Sequence, residues 1–200
     1  MSASVLKPFS VRFARLSAAA VTCAAIALPV GAAETPAGPQ TDKAARGKYL
    51  VTIAGCNDCH TPWKMGPTGP APDMSRMLSG HPESFALPPA PAPQGPWLVA
   101  ATATNTAWSG PWGVSFTANL TPDQETGLGK WTLRNFVDTI RSGRHMGRGR
   151  QILPPMPIPM YKHMTDEDLE AVYTYLRSIP AVSNRVPEPL PPAAPVAVNR

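Results

Sequence analysis

The chain has 200 residues, enough for one domain with appendages, and its 18 Lys+Arg against 13 Asp+Glu give a formal net charge of +5. With 26 Pro and 15 Gly, chain-breaking residues exceed a fifth of the sequence, which excludes an architecture of long uninterrupted elements. The basic excess is a poor footprint for nucleic acid, because much of it lies at the N-terminus.

That N-terminus reads as an export signal. Lys7, Arg12 and Arg15 make a basic start. Ala18 to Val30 is an apolar run too short to span a bilayer, and Gly31-Ala32-Ala33 offers small residues for cleavage near Ala33. Pro29 argues against a membrane anchor, and Val21-Thr22 before Cys23 fits the lipid-modification motif poorly. Taking 1–33 as a signal peptide leaves fifteen Lys+Arg against thirteen Asp+Glu, a net of +2, and no transmembrane segment in the mature chain. Cys23 leaves with it. Cys56 and Cys59 then remain, too close together to staple a distant loop.

Residues 34–41 read as a flexible leader. Residues 42–54 predict a helix, with Asp42 as its cap and Ala45, Tyr49 and Ile53 on one face. From 62 to 118 Pro, Gly, Ala and Trp dominate without sustained periodicity, which predicts loop with short extended pieces. Helical spacing returns at 132–142, where Leu133, Phe136, Val137 and Ile140 recur and Gly143 follows as a stop. A Pro-rich loop occupies 144–161. Thr165-Asp166-Glu167-Asp168 then caps a helix to about Ser178, with Leu169, Val172, Tyr173 and Leu176 as its apolar stripe. The tail from Pro180 is expected to be extended or disordered, and His81, before Pro82, to face solvent.

Three short helices cannot enclose a large core for a chain of this size, and a structureless stretch as long as 62–118 is unusual inside a compact domain. A bound flat apolar group would ease both difficulties by serving as the centre of the core.

Cys56-Asn57-Asp58-Cys59-His60 points to such a group. In a C-x-x-C-H segment the two thiols can add to the vinyl groups of a haem, and the adjoining histidine reaches the iron. A thioredoxin-like pair would want a strand–helix–strand setting, and a zinc site would want a second Cys/His pair, which the sequence lacks. The motif occurs once, so one covalent haem c is expected. For the sixth iron ligand the residues offer several candidates, Met156 first and Met160 next. Met156 lies in Leu153-Pro154-Pro155-Met156-Pro157, where prolines hold a thioether at little entropic cost. His145 and His163 read as loop and helix-start residues. Asn119 and Trp131 read equally as haem neighbours or as turn and core residues, Asp123 with Glu125 as a turn, and Arg141, Arg144, Arg148 and Arg150 as a solvated basic face.

The chain also resembles the class I cytochrome c family, in particular monohaem domains and subunits that accept electrons from periplasmic dehydrogenases. The resemblance rests on Arg46–Val51 before the C-x-x-C-H segment, Asn119–Asp123, Thr126–Trp131, Pro154–Pro157 and the helix Asp166–Ser178. It implies an all-α fold over residues 42–180, with 62–118 inserted as a Pro-rich loop and 181–200 as a tail. It also implies His60 and Met156 as axial iron ligands, and first and last helices crossing closely at Gly47. Ile158–Tyr161 departs from the aromatic usual after the Met-Pro. The function so implied is a periplasmic single-electron carrier rather than an enzyme, with redox proteins as donor and acceptor, possible partners including a dehydrogenase. The contrary expectation is a haem enzyme or gas sensor with an open sixth position.

Overall fold

A computed structural model describes residues 39–90, 96 and 98–192. The expected signal peptide, residues 34–38 of the leader and the last residues of the tail lie outside them; residues 39–41, expected as leader, belong instead to the first helix, which puts Asp42 in its first turn rather than at its cap. The helices are α1 (Pro39–Ile53), α2 (Cys56–His60), α3 (Leu133–Ser142), α4 (Ile158–Tyr161) and α5 (Asp166–Ser178). Between α2 and α3 run β1 (Trp63–Gly66), β2 (Gly69–Pro72), β3 (Ala100–Ala101), β4 (Ala107–Gly110) and β5 (Gly113–Phe116).

The long helices form where the sequence places them, and their ends show why. Thr132 Oγ1 accepts from the Asn135 amide while Asn135 returns a bond to the Thr132 amide, and Gly143 closes α3 in the left-handed conformation (φ 67°). Thr165 caps α5 through the Asp168 amide, with three acidic residues in the first turn to meet the helix dipole. Leu169, Ala171 and Leu176 are buried, while Val172 and Tyr173 pack on the core from a half-buried position.

Helix α1 presents a different face from the one expected. Tyr49 and Ile53 are 54% and 62% exposed and Ala45 is exposed, whereas Gly47, Leu50 and Val51 are buried against α5. The reason is backbone contact: a Cβ at Gly47 would overlap the Ala171 carbonyl, so the glycine lets the two helices touch main chain to main chain. The partly solvent-accessible pairs Lys43–Glu170 (2.6 Å) and Arg46–Asp168 (3.0 Å) flank the crossing and add little to its strength.

Residues 62–118 hold the short extended pieces expected of them, but these pair into sheets, so the described chain is not all-α. β1 and β2 form one antiparallel hairpin, and β3-β4-β5 form a second antiparallel sheet. His81 is also a correction. It is fully buried, packs on the Phe116 ring (centroids 4.9 Å apart), and bonds through Nε2 to the Phe85 carbonyl (3.2 Å) and through Nδ1 to the Thr106 hydroxyl (2.9 Å). A carbonyl only accepts, so Nε2 carries the proton in the neutral ring. Beyond α5 the chain runs extended to residue 192 as a strap tied to the core. Leu190 and Val114 exchange both backbone bonds at 2.9 Å, adding the strap to the edge of β5. The core comprises Val51, Leu78, Leu128, Phe136, Ile140, Leu169, Leu176 and Ile179.

Candidate haem site

Helix α2 is a single turn entered through Gly55, whose φ of 67° suits glycine. On a helix, positions i, i+3 and i+4 share a face, so Cys56, Cys59 and His60 present sulfur, sulfur and imidazole in one direction. All three line a cavity of about 480 Å³, within the usual range for cofactor sites of about 300–1,000 Å³.

His60 is buried, and its Nδ1 lies 2.8 Å from the Ala118 carbonyl. Nδ1 must donate there, which leaves Nε2 with the free lone pair a metal requires. Burial pushes the His60 pKa down, partly offset by the Ala118 bond, so the ring is neutral at pH 7. The Gly80 amide donates to the His60 carbonyl (2.8 Å), fixing its backbone as well. Thr61 continues the frame, donating to Asn57 and accepting from the Leu78 amide, both at 2.8 Å. Burial, reinforced by Cys59 and Asp58, pushes the Cys56 thiol up to about 11. Burial and Asp58 raise Cys59 as well, so both remain thiols rather than thiolates.

Met156 lies on the wall of the same cavity. Its loop is anchored by Ser115 Oγ, which donates to the Pro154 carbonyl at 2.6 Å, and by Tyr161 Oη, which donates to the Ala54 carbonyl just ahead of α2. Met164 also lines the cavity, whereas Met160, the second candidate, is 71% exposed and outside it. The remaining wall is largely apolar, with Leu120, Phe136, Ile140, Leu169 and Leu176 prominent. Arg177 steadies one side by donating to the Leu128 and Gly129 carbonyls (2.8 and 2.7 Å). A thiol pair and a lone-pair imidazole with a thioether in one apolar cavity are a donor set that fits an iron porphyrin.

The other residues singled out by the sequence separate into wall and frame. Trp131 lines the cavity and meets the His145 ring edge-on at 5.0 Å. Asn119 touches the cavity, but its amide is engaged by Thr126 and Val182 and its oxygen by Thr121, which makes it a core residue. Asp123 accepts from the Glu125 and Thr126 amides, which is a turn. Of the basic cluster, Arg141 holds the Met164 carbonyl and Arg144 the Gly149 carbonyl, while Arg150, paired with Glu188 at 3.1 Å, lies on the cavity rim with Arg185. Sequence reasoning missed Ser115, Tyr161, Arg177 and the strap residue Asn184, whose partners are all distant in the chain. Among the described residues no three His, Cys, Asp or Glu side chains cluster as a metal site of their own, and no helix is long and apolar enough to cross a membrane.

No family model matches the chain. Individual relatives do. It is 29% identical over 142 residues, 71% of its length and 22% of the relative's, to the fructose dehydrogenase cytochrome subunit of Gluconobacter japonicus. It is 26% identical over 130 residues, 65% of this chain and 20% of the relative, to the cytochrome c subunit of the quinone alcohol dehydrogenase of Gluconobacter oxydans. A diheme cytochrome c-type protein of Cereibacter sphaeroides is 26% identical over 152 residues, 74% of this chain and 40% of the relative. The chain thus spans about a fifth of the length of the dehydrogenase subunits it matches. It is similar to cytochrome c subunits of dehydrogenases, and the similarity supports a haem protein of electron transfer.

Proposed function

We propose that this chain binds one covalent haem c through Cys56 and Cys59, holds its iron between His60 and Met156, and passes single electrons outside the cytoplasm. The observation that carries the reading is the convergence of the C-x-x-C-H helix and Met156 on one apolar cavity. When bound, the haem supplies a reversible Fe(II)/Fe(III) couple. The chain's own residues do the rest. Cys56 and Cys59 anchor, His60 offers Nε2 while Ala118 fixes its ring, and Met156 offers a thioether, which favours the ferrous state. The apolar wall keeps water away, and Arg185 lines the cavity beside the Arg150–Glu188 pair, where its guanidinium suits a carboxylate such as a haem propionate.

The electron donor in this reading is a dehydrogenase, because the relatives are by name dehydrogenase cytochrome subunits. Periplasmic placement, also part of this reading, is supported by the signal-like N-terminus, the C-x-x-C-H motif and those relatives. The test is extraction of the purified protein with acidified organic solvent. Haem that stays with the chain, but is released from the Cys56→Ser/Cys59→Ser double variant, supports the reading. Haem released from the unaltered chain contradicts it. Co-purification with a dehydrogenase, and reduction by it, tests the partner.

A further inference from the structure

The Pro-rich strap contains one deeply buried polar side chain. Asn184 is 2% exposed, and its carboxamide uses every hydrogen-bonding position it has. Nδ2 donates to the Ser79 and His81 carbonyls (2.8 and 2.9 Å), and Oδ1 accepts from the Glu83 amide (2.9 Å) and Arg76 Nη2 (3.1 Å). Its own amide donates to Thr126 Oγ1 at 3.0 Å. Asn119, also buried, completes a clasp by donating to the Val182 and Asn184 carbonyls (2.8 and 3.3 Å).

The clasp holds two segments that each bond His60: the Asn184 carboxamide grips the first, and the Asn184 main-chain carbonyl receives Asn119 of the second. Segments 78–81 and 117–120 lie side by side, with His81 N bonded to the Thr117 carbonyl (2.9 Å) and Leu120 N to the Leu78 carbonyl (2.8 Å). Gly80, on the first, bonds the His60 carbonyl; Ala118, on the second, accepts the His60 Nδ1–H. We propose that Asn184 is a positioning residue for His60, holding these segments together so that the Ala118 carbonyl fixes the imidazole and sets the reduction potential of the iron it ligates. The proposal rests on the electron-carrier reading above. A ligand histidine that donates firmly to a carbonyl is more basic and favours Fe(III), so loosening the clasp raises the potential.

The test uses the full haem-loaded chain with Asn184→Ala, and Thr126→Val as a milder variant that removes the hydroxyl receiving both the Asn184 amide and Asn119 Nδ2. Two readouts go beyond stability: the solvent exchange rate of the His60 Nδ1 proton by NMR, and the midpoint potential. Asn184→Ala is expected to speed exchange about tenfold. It is also expected to shift the one-electron equilibrium toward the reduced form by about threefold, or about 28 mV at 59 mV per tenfold. Thr126→Val shifts both less, in the same direction, and decides the matter if Asn184→Ala does not fold. Unchanged exchange and potential in folded, haem-loaded variants overturn the proposal and leave the carrier reading standing. An unaltered chain without covalent haem overturns both.

Discussion

Gly47→Ala probes the crossing of α1 and α5, on which the cavity depends. The added Cβ would lie 2.6 Å from the Ala171 carbonyl carbon and 2.8 Å from the Tyr175 Cβ, besides overlapping the Ala171 oxygen. None of these atoms is the end of a flexible side chain, so relief requires the helices to move apart. Overpacking of a core typically costs about 1–3 kcal/mol, and contact with main chain places this site at about 3. Alanine returns about 1 kcal/mol of helix propensity. The net expectation is a loss of about 2 kcal/mol, or about 4–8 °C in Tm at about 2–4 °C per kcal/mol for a domain of this size. Thermal unfolding of the haem-loaded protein, followed by circular dichroism, measures it. An unchanged or raised Tm would refute the claim that the helices pack backbone to backbone at Gly47.

Two further outcomes follow from the packing. Ser115→Ala removes the anchor of the Met156 loop at Pro154, worth about 1 kcal/mol, so cyanide should bind the oxidised protein roughly fivefold more tightly if it competes with Met156; equal affinity would show that the anchor does not support the ligand. Burial holds the His81 pKa below its ordinary 6.5, so below that pH the unfolded chain takes up a proton that the folded chain excludes. Stability is therefore expected to be full above pH 6.5 and to fall as the pH drops toward 5, with a shallower slope in His81→Asn; urea unfolding across pH 5–8 checks both, and a flat profile would contradict the burial account.

What could be read from the sequence follows from where each signal resides. Helices α3 and α5 advertise themselves through Thr caps, a following Gly143 and side chains at helical spacing, all local. The face of α1 was hidden because its key buried residue, Gly47, contributes backbone contact rather than a hydropathic side chain, while Tyr49 and Ile53 mimic a core stripe in solvent. The strands between 62 and 118 are two to four residues long and rich in Gly and Pro, too short for alternation to register. His81 and Asn184 are buried by partners up to about a hundred residues away, which no local pattern encodes. At the cavity, Cys56, Cys59 and His60 were legible because their chemistry depends on fixed spacing in one turn. Met156 stood first among several thioethers because prolines flank it, and the resemblance singled it out, whereas the carbonyl that orients His60 had no sequence signal.

Optical spectra of the haem-loaded protein, oxidised and reduced, beside Met156→Ala and Met164→Leu, decide whether His60 and Met156 hold the iron. His60/Met156 ligation gives a low-spin spectrum with a methionine–iron charge-transfer band that Met156→Ala abolishes and Met164→Leu preserves. A high-spin spectrum that binds carbon monoxide readily and is unchanged by Met156→Ala would contradict it and favour a haem enzyme or gas sensor.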